Sequence, residues 1–193
     1  MQVMPVSDQQ LIALYLEGDE RSFEILLNRH RQKIYTSIYL FVKDTALAED
    51  IFQEVFIKII DTLRKGKYNH EGKFVQWAMR ISYNMCVDYF RRSKRRPKVA
   101  PTETFDIFDV LQISDDNAEQ RMIKSQTHEK IRKLVDQLPP EQREVVILRH
   151  YADMSFKEIA QLTRVSINTA LGRMRYALIN IRKMVEEREV ILQ

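Results

Sequence analysis

The groups best suited to chemistry with a partner lie in SFKEIAQLTRVSINTALGRMRYAL, residues 155 to 178. From Ile159 to Val185 the chain carries Arg164, Arg173, Arg175, Arg182 and Lys183 and no acidic residue. Guanidinium forks, and an amide such as Asn168, are the groups that make paired hydrogen bonds to base edges or grip phosphates. Their spacing says how they are presented. Ser155 with Glu158 forms a capping box for a short helix bearing Ile159, Ala160 and Leu162, and Ser166 caps a second helix after a turn of about four residues. That is the layout of a helix-turn-helix, whose second member enters the DNA major groove N-terminus first. Ala160 is small enough for the two helices to cross closely. Ala170, Met174, Ala177 and Ile181 supply the core stripe of the second helix, leaving Asn168, Thr169, Leu171, Gly172, Arg175 and Tyr176 on other faces. Gly172 costs its helix about 1 kcal/mol relative to Ala. Two readings account for it: close approach of the backbone to a groove wall, or relief of crowding against a neighbouring helix.

A helix pair needs a body to hold it. With 193 residues the chain is long enough for one medium domain or two small ones. Only four glycines and five prolines interrupt it, which favours helices joined by short loops. No run reaches the ~18 uninterrupted apolar residues of a membrane span. The N-terminal MQVMPVSDQQ lacks the basic-then-apolar layout of a signal peptide, so a soluble, cytoplasmic chain is expected. Cys86 stands alone and cannot close an intrachain disulfide, and His30, His70, His128 and His150 show no metal-ligand spacing. No metal, no cofactor and no redox role is expected. Without a nucleophile–base pairing or a glycine-rich phosphate loop, nothing supports an enzyme.

Formal net charge is only +4, yet its placement is uneven, and placement is what a partner feels. RRSKRRPK, residues 91 to 98, has six basic side chains; residues 100 to 120 have six acids and no base. Two basic surfaces flank an acidic connector. Before it, periodicity predicts four helices. Ser7 and Gln10 cap the first, whose apolar side is Leu11, Ile12, Leu14 and Tyr15 and which stops at Gly18. The second, 20 to 43, buries Phe23, Leu26, Leu27, Ile34, Ile38 and Phe41. The third, 46 to 65, lines up Leu47, Ile51, Val55, Ile59 and Leu63 and ends at Gly66. The fourth turns Phe74, Trp77, Ala78, Ile81 and Met85 inward. Beyond the connector, Met122, Ile123, Ile131, Leu134 and Val135 mark one helix, LPPEQR breaks it, and another starts at Pro140 with Val145, Val146 and Leu148 inward. The expected fold is all-α: a helical bundle over 1–97, an extended acidic linker over 98–120 and a helix-turn-helix domain over 121–193.

AEDIFQEVF at 48 to 56, FVQWAMRISYNMCVDYFRR at 74 to 92, and LPPEQREVVILRHYADMSFKEIA at 138 to 160 with the basic helix after it resemble bacterial sigma factors of the extracytoplasmic-function group. Both modules, their order and their separation match. The resemblance implies a transcription initiation factor without enzymatic activity. Its region 2 domain would dock on the clamp of core RNA polymerase and open the minus-10 element. Its region 4 domain would read the minus-35 element and meet the polymerase flap. Factors of this group are commonly held inactive by an anti-sigma factor, often membrane-anchored, so such a partner is implied as well.

Carried over by position, Asp50, Gln53, Glu54 and Ile57 match the core-binding stretch, and the three polar residues lie off the apolar stripe of their helix. Opening a promoter needs aromatics, amides and cations around a groove that holds an unstacked base. Tyr68, Asn69 and Lys73, with Arg80 and Asn84 one turn apart on the next helix, supply those types where the family's minus-10 reader lies. Arg91, Arg92, Lys94, Arg95 and Arg96 suit phosphates rather than bases. Trp77 is core by periodicity.

In the basic helix, many family members carry Gly-Thr-Val-Lys/Arg-Ser-Arg where this chain has NTALGR, Asn168 to Arg173. Tyr176 replaces a frequent arginine and Leu171 a frequent cation, so a different minus-35 preference is implied. Direct readout falls to Arg175, Asn168 and Tyr176, with Ser166, Thr169 and Arg173 nearer phosphates or intramolecular contacts. Thr163 and Arg164 also depart from the usual turn residues. The acidic connector is either a plain tether or, as the family's corresponding segment suggests, a mimic of RNA in the polymerase channels. On the second reading, neutralising Asp106, Asp109, Asp115 and Asp116 weakens holoenzyme assembly or alters release of early transcripts. A stand-alone helix-turn-helix regulator is the competing class, and it leaves the AEDIFQE helix unexplained.

Overall fold

The computed structural model describes residues 6–69, 72–93, 131 and 133–191, with side chains placed as far as residue 187. The connector, the basic residues Lys94, Arg95 and Arg96, and the expected helix at Met122 and Ile123 lie outside the described residues. Every regular element among the described residues is a helix, and they fall into two compact units.

The first unit holds α1 (Asp8–Leu16), α2 (Glu20–Val42), α3 (Thr45–Arg64) and α4 (Phe74–Ser93). Local chemistry sets their ends. Ser7 and Gln10 close the capping box of α1. Asp19 caps α2 by accepting from Arg21 N at 3.1 Å, and Asp44 caps α3 by accepting from Leu47 N at 3.0 Å. Gly66, at φ +62°, ends α3 in the left-handed conformation that favours glycine. Helices α2, α3 and α4 pack on one another, and α1 lies along α2. Leu26, Ile34, Ile38, Val55, Ile59 and Ala78 are fully buried at their meeting. Each large apolar side chain there contributes about 1.5–3 kcal/mol.

Helix α4 is rotated from its expected face. Phe74 and Ala78 are buried as expected, but Met79, Ser82, Tyr83 and Cys86 complete the inner stripe, while Trp77, Ile81 and Met85 are only half-buried. Burying Ser82 is inexpensive because its hydroxyl donates to the carbonyl of Ala78 at 2.9 Å. Leu14 on α1 is 41% exposed instead of packed, and Leu27 and Phe41 are half-buried.

In the second unit a helical stretch at 133–136 precedes α5 (Pro140–His150), α6 (Phe156–Thr163) and α7 (Ile167–Ile191). Leu134, Val135 and Leu138 are buried, whereas Ile131 is 45% exposed and not part of the core. Helix α7 packs against α5 and α6. Ile147, Ile159, Ala170 and Ala177 are fully buried, and Ala160 nearly so. Small side chains at 160, 170 and 177 bring the helix axes close. Met174 and Ile181, expected in the same stripe, are half-buried.

Candidate nucleic-acid and polymerase interfaces

The helix-turn-helix is built from α6, three turn residues and α7, one residue tighter than expected. Ser155 and Glu158 make the expected capping box. Arg164 ends α6 at φ 58°, ψ 42°, and the N–H groups of Arg164 and Val165 both return to the carbonyl of Ala160. A non-glycine residue in that conformation costs roughly 1–2 kcal/mol, which the two closing hydrogen bonds offset.

Two polar ties set the face that α7 turns toward α5. Arg173 Nη1 donates to Glu144 Oε2 at 3.4 Å, and Asn180 Nδ2 donates to Gln142 Oε1 at 2.8 Å, so α5 holds it at two points two turns apart. At its start, Ser166 Oγ accepts from Thr169 N at 3.0 Å and shares a hydrogen bond with Thr169 Oγ1 at 2.8 Å. Ser166, Thr169 and Arg173 are thus engaged within the protein. Asn168, Leu171, Arg175 and Tyr176 point outward, Tyr176 with 62% of its surface exposed. A Cβ built at Gly172 meets nothing within 4 Å, so crowding against a described neighbour does not explain this glycine.

One feature of α7 escaped the periodic reading. Leu171 and Leu178, a heptad apart, are 43% and 53% exposed. With Phe156, Met174, Arg175 and Arg182 they line a groove of about 500 Å³. The signal was present as paired apolar positions, 170 with 171 and 177 with 178, wider than one core stripe requires.

In the first unit, Asp50, Gln53, Glu54 and Ile57 form one exposed ridge along α3, spaced by three, four and seven residues. Ile57 is 62% exposed in a helix whose other isoleucines face inward or are half-covered. Asn69, Lys73, Arg80, Asn84, Arg91 and Arg92 are all exposed. Arg91 meets Asp88 at 3.4 Å.

Tyr68 and Trp77 are half-buried and in ring contact. Their rings lie 4.4 Å apart, and Phe74 stands edge-on to Tyr68 at 6.2 Å and 5.8 Å from Trp77. Trp77, expected in the core, instead joins Tyr68 in a half-exposed aromatic platform beside Asn69 and Lys73. Phe74 takes the core place and is 2% exposed.

The Sigma-70 region 2 family profile matches residues 26–96, and the Sigma-70 region 4 profile matches residues 128–175. One match falls in each unit. The chain belongs to the sigma-70 family. Its relatives place it in the extracytoplasmic-function group. The RNA polymerase sigma-H factor of Pseudomonas aeruginosa is 28% identical over 173 residues, 86% of this chain and 87% of that one. SigX of Bacillus subtilis, an ECF RNA polymerase sigma factor, is 28% identical over 176 residues, 86% of this chain and 85% of that one. The ECF RNA polymerase sigma-E factor of Haemophilus influenzae is 24% identical over 188 residues, 95% of each chain. The fold is shared with the sigma factor RpoE of Bartonella quintana, solved in complex with the anti-sigma factor NepR, at a TM-score of 0.63 and 15% identity over 86% of this chain and 98% of that one. CnrH, solved in complex with the cytosolic domain of CnrY, gives 0.59 at 20% identity over 94% of this chain and 99% of that one. As a sigma factor, the protein directs core RNA polymerase to promoters and supports their specific initiation. No described helix of this sigma factor is long and apolar enough to cross a membrane.

Proposed function

We propose that this sigma factor reads its promoter with two surfaces of different design. Asn168, Arg175 and Tyr176 on α7 read base edges of the minus-35 element. Ser166, Thr169 and Arg173 hold the helix for them, Leu171 borders the reading face, and Gly172 lets the backbone approach a groove wall. The observation that carries this reading is the internal engagement of Ser166, Thr169 and Arg173, which leaves Arg175 as the exposed fork between the two points where α5 grips the helix. A bidentate contact of that kind is worth roughly 1–3 kcal/mol of base discrimination.

In the first unit, the Tyr68–Trp77 platform with Asn69 and Lys73 receives an unstacked minus-10 base, Arg80 and Asn84 follow the strand, and Arg91, Arg92 and Arg95 bind phosphates. The exposed ridge Asp50, Gln53, Glu54 and Ile57 meets the polymerase clamp, and the second unit meets the flap. The domains are 1–97 and 121–193, with the acidic segment 98–120 between them. The protein works in the cytoplasm, catalyses no reaction itself and takes no cofactor. An anti-sigma partner restrains it, a reading supported by the fold shared with the sigma factor RpoE solved in complex with the anti-sigma factor NepR.

Run-off transcription with purified core polymerase on genomic fragments, with and without this chain, tests the proposal. Start sites that appear only with the chain, and that are lost in Ile57→Glu together with core binding, are the expected result. Specific footprinting of one duplex site by the isolated chain, with no affinity for core polymerase, overturns it.

A further inference from the structure

His30 belongs to none of the surfaces described above, yet it is linked to one of them through the ring of Phe74. It lies on α2 and is 8% exposed, with its ring centroid 5.5 Å from that of Phe74 at an interplanar angle of 45°. Its Nε2 donates to Asp8 Oδ2 at 2.8 Å. Asp8 Oδ1 accepts from Arg29 Nη1 at 2.6 Å, and Arg29 Nη2 donates to the carbonyl of Val6 at 2.8 Å. One carboxylate therefore fixes the imidazole and ties the start of α1 to α2. Burying an ionisable ring costs free energy unless it is hydrogen-bonded, and Asp8 meets that need while setting the ring's orientation.

What the ring touches gives it a further role. Phe74 is the first residue of α4 and the only described ring in contact with His30, Tyr68 and Trp77 alike. Phe74 therefore links His30 to both rings of the platform. We infer that His30, oriented by Asp8, is a positioning residue for strand opening: it backs Phe74 and so holds the Tyr68–Trp77 pair at the angle that receives an unstacked base. The inference rests on the reading that Tyr68 and Trp77 meet such a base. Geometry held this way matters to a rate because a small displacement of the receiving groups lowers the fraction of productive encounters.

The experiment uses holoenzyme assembled from purified core polymerase and this chain, on a promoter it directs, with 2-aminopurine in the minus-10 element. Closed-complex affinity and the rate of base unstacking are measured separately. His30→Gln, which keeps a donor toward Asp8 and loses the ring, is expected to slow unstacking about three- to tenfold, the size of one aromatic contact, with core binding and closed-complex affinity unchanged. His30→Phe, which keeps a ring but loses the tie to Asp8, restores part of the rate. A wild-type rate in His30→Gln, with Tyr68→Ala defective, overturns the inference and leaves the platform reading standing. Wild-type rates in both overturn the reading and the inference with it. Equal losses in core binding, closed-complex affinity and unstacking, or a His30→Phe as slow as His30→Gln, overturn positioning in favour of a purely structural pin. Should His30→Gln not fold, Asp8→Asn, which weakens the tie and keeps every ring, decides: slower unstacking supports the inference and an unchanged rate overturns it.

Discussion

The two units present their surfaces in different ways. In the second, every outward residue assigned to base reading sits on one helix, and polar bonds from α5 fix how that helix faces. In the first, the surface is assembled from a loop and the start of α4, and its rings are in contact with Phe74 and, through it, with His30. A helix held by hydrogen bonds is a rigid ruler whose positions act one at a time. A platform held by ring contacts acts as a group, so a change in its support moves several side chains together.

The largest effect expected from this contrast is at Arg175. Arg175→Ala should lose roughly 1–3 kcal/mol of discrimination at a single upstream base pair, measured by transcription from promoters varied one position at a time. Arg173→Ala, which breaks the tie to Glu144, should weaken all promoters alike. If Arg175→Ala also weakened all promoters equally, it would join the phosphate contacts and the ruler picture would fail.

A smaller effect, of opposite sign for folding and function, is expected at Gly172. Since an added Cβ meets nothing in the protein, Gly172→Ala should stabilise the second unit by up to about 1 kcal/mol through helix propensity, seen as a raised melting temperature. The same variant should bind minus-35 DNA less well if the backbone approaches a groove wall there. Unchanged transcription with raised stability would leave Gly172 without a role in reading.

Smallest is the pH response of the first unit. Burial lowers the His30 pKa from its ordinary 6.5, with Arg29 and Lys33 adding to the effect and Asp8 opposing it. Protonation is then easier in the unfolded chain. The unit keeps its full stability above pH 6.5 and loses some as pH falls through the folded-state value. Melting temperatures across that range should slope in the parent protein and flatten in His30→Gln. The second unit offers an internal control, because no histidine is buried among its described residues.

Much of this arrangement could be read from residue order. Both capping boxes, the start at Pro140 and the exposure of Asp50, Gln53 and Glu54 followed from spacing alone, because capping and amphipathic packing act within one or two helical turns. The face of α4 did not follow. Ser82 looks polar to a periodicity rule, yet its bond to the Ala78 carbonyl makes it a core residue, and the stripe turns accordingly. Trp77 was misplaced for a related reason: its partner Tyr68 lies in a loop, where period carries no information. His30 gave no signal at all, since its neighbours Asp8 and Phe74 are distant in sequence and meet only in the folded chain.

The grip of α5 on α7 bears on how such a factor diverges. Glu144 and Gln142 anchor positions 173 and 180, while 168, 175 and 176 are exposed and stand outside those ties. Lineages can exchange those three letters and acquire new target genes while the scaffold beneath them keeps its sequence.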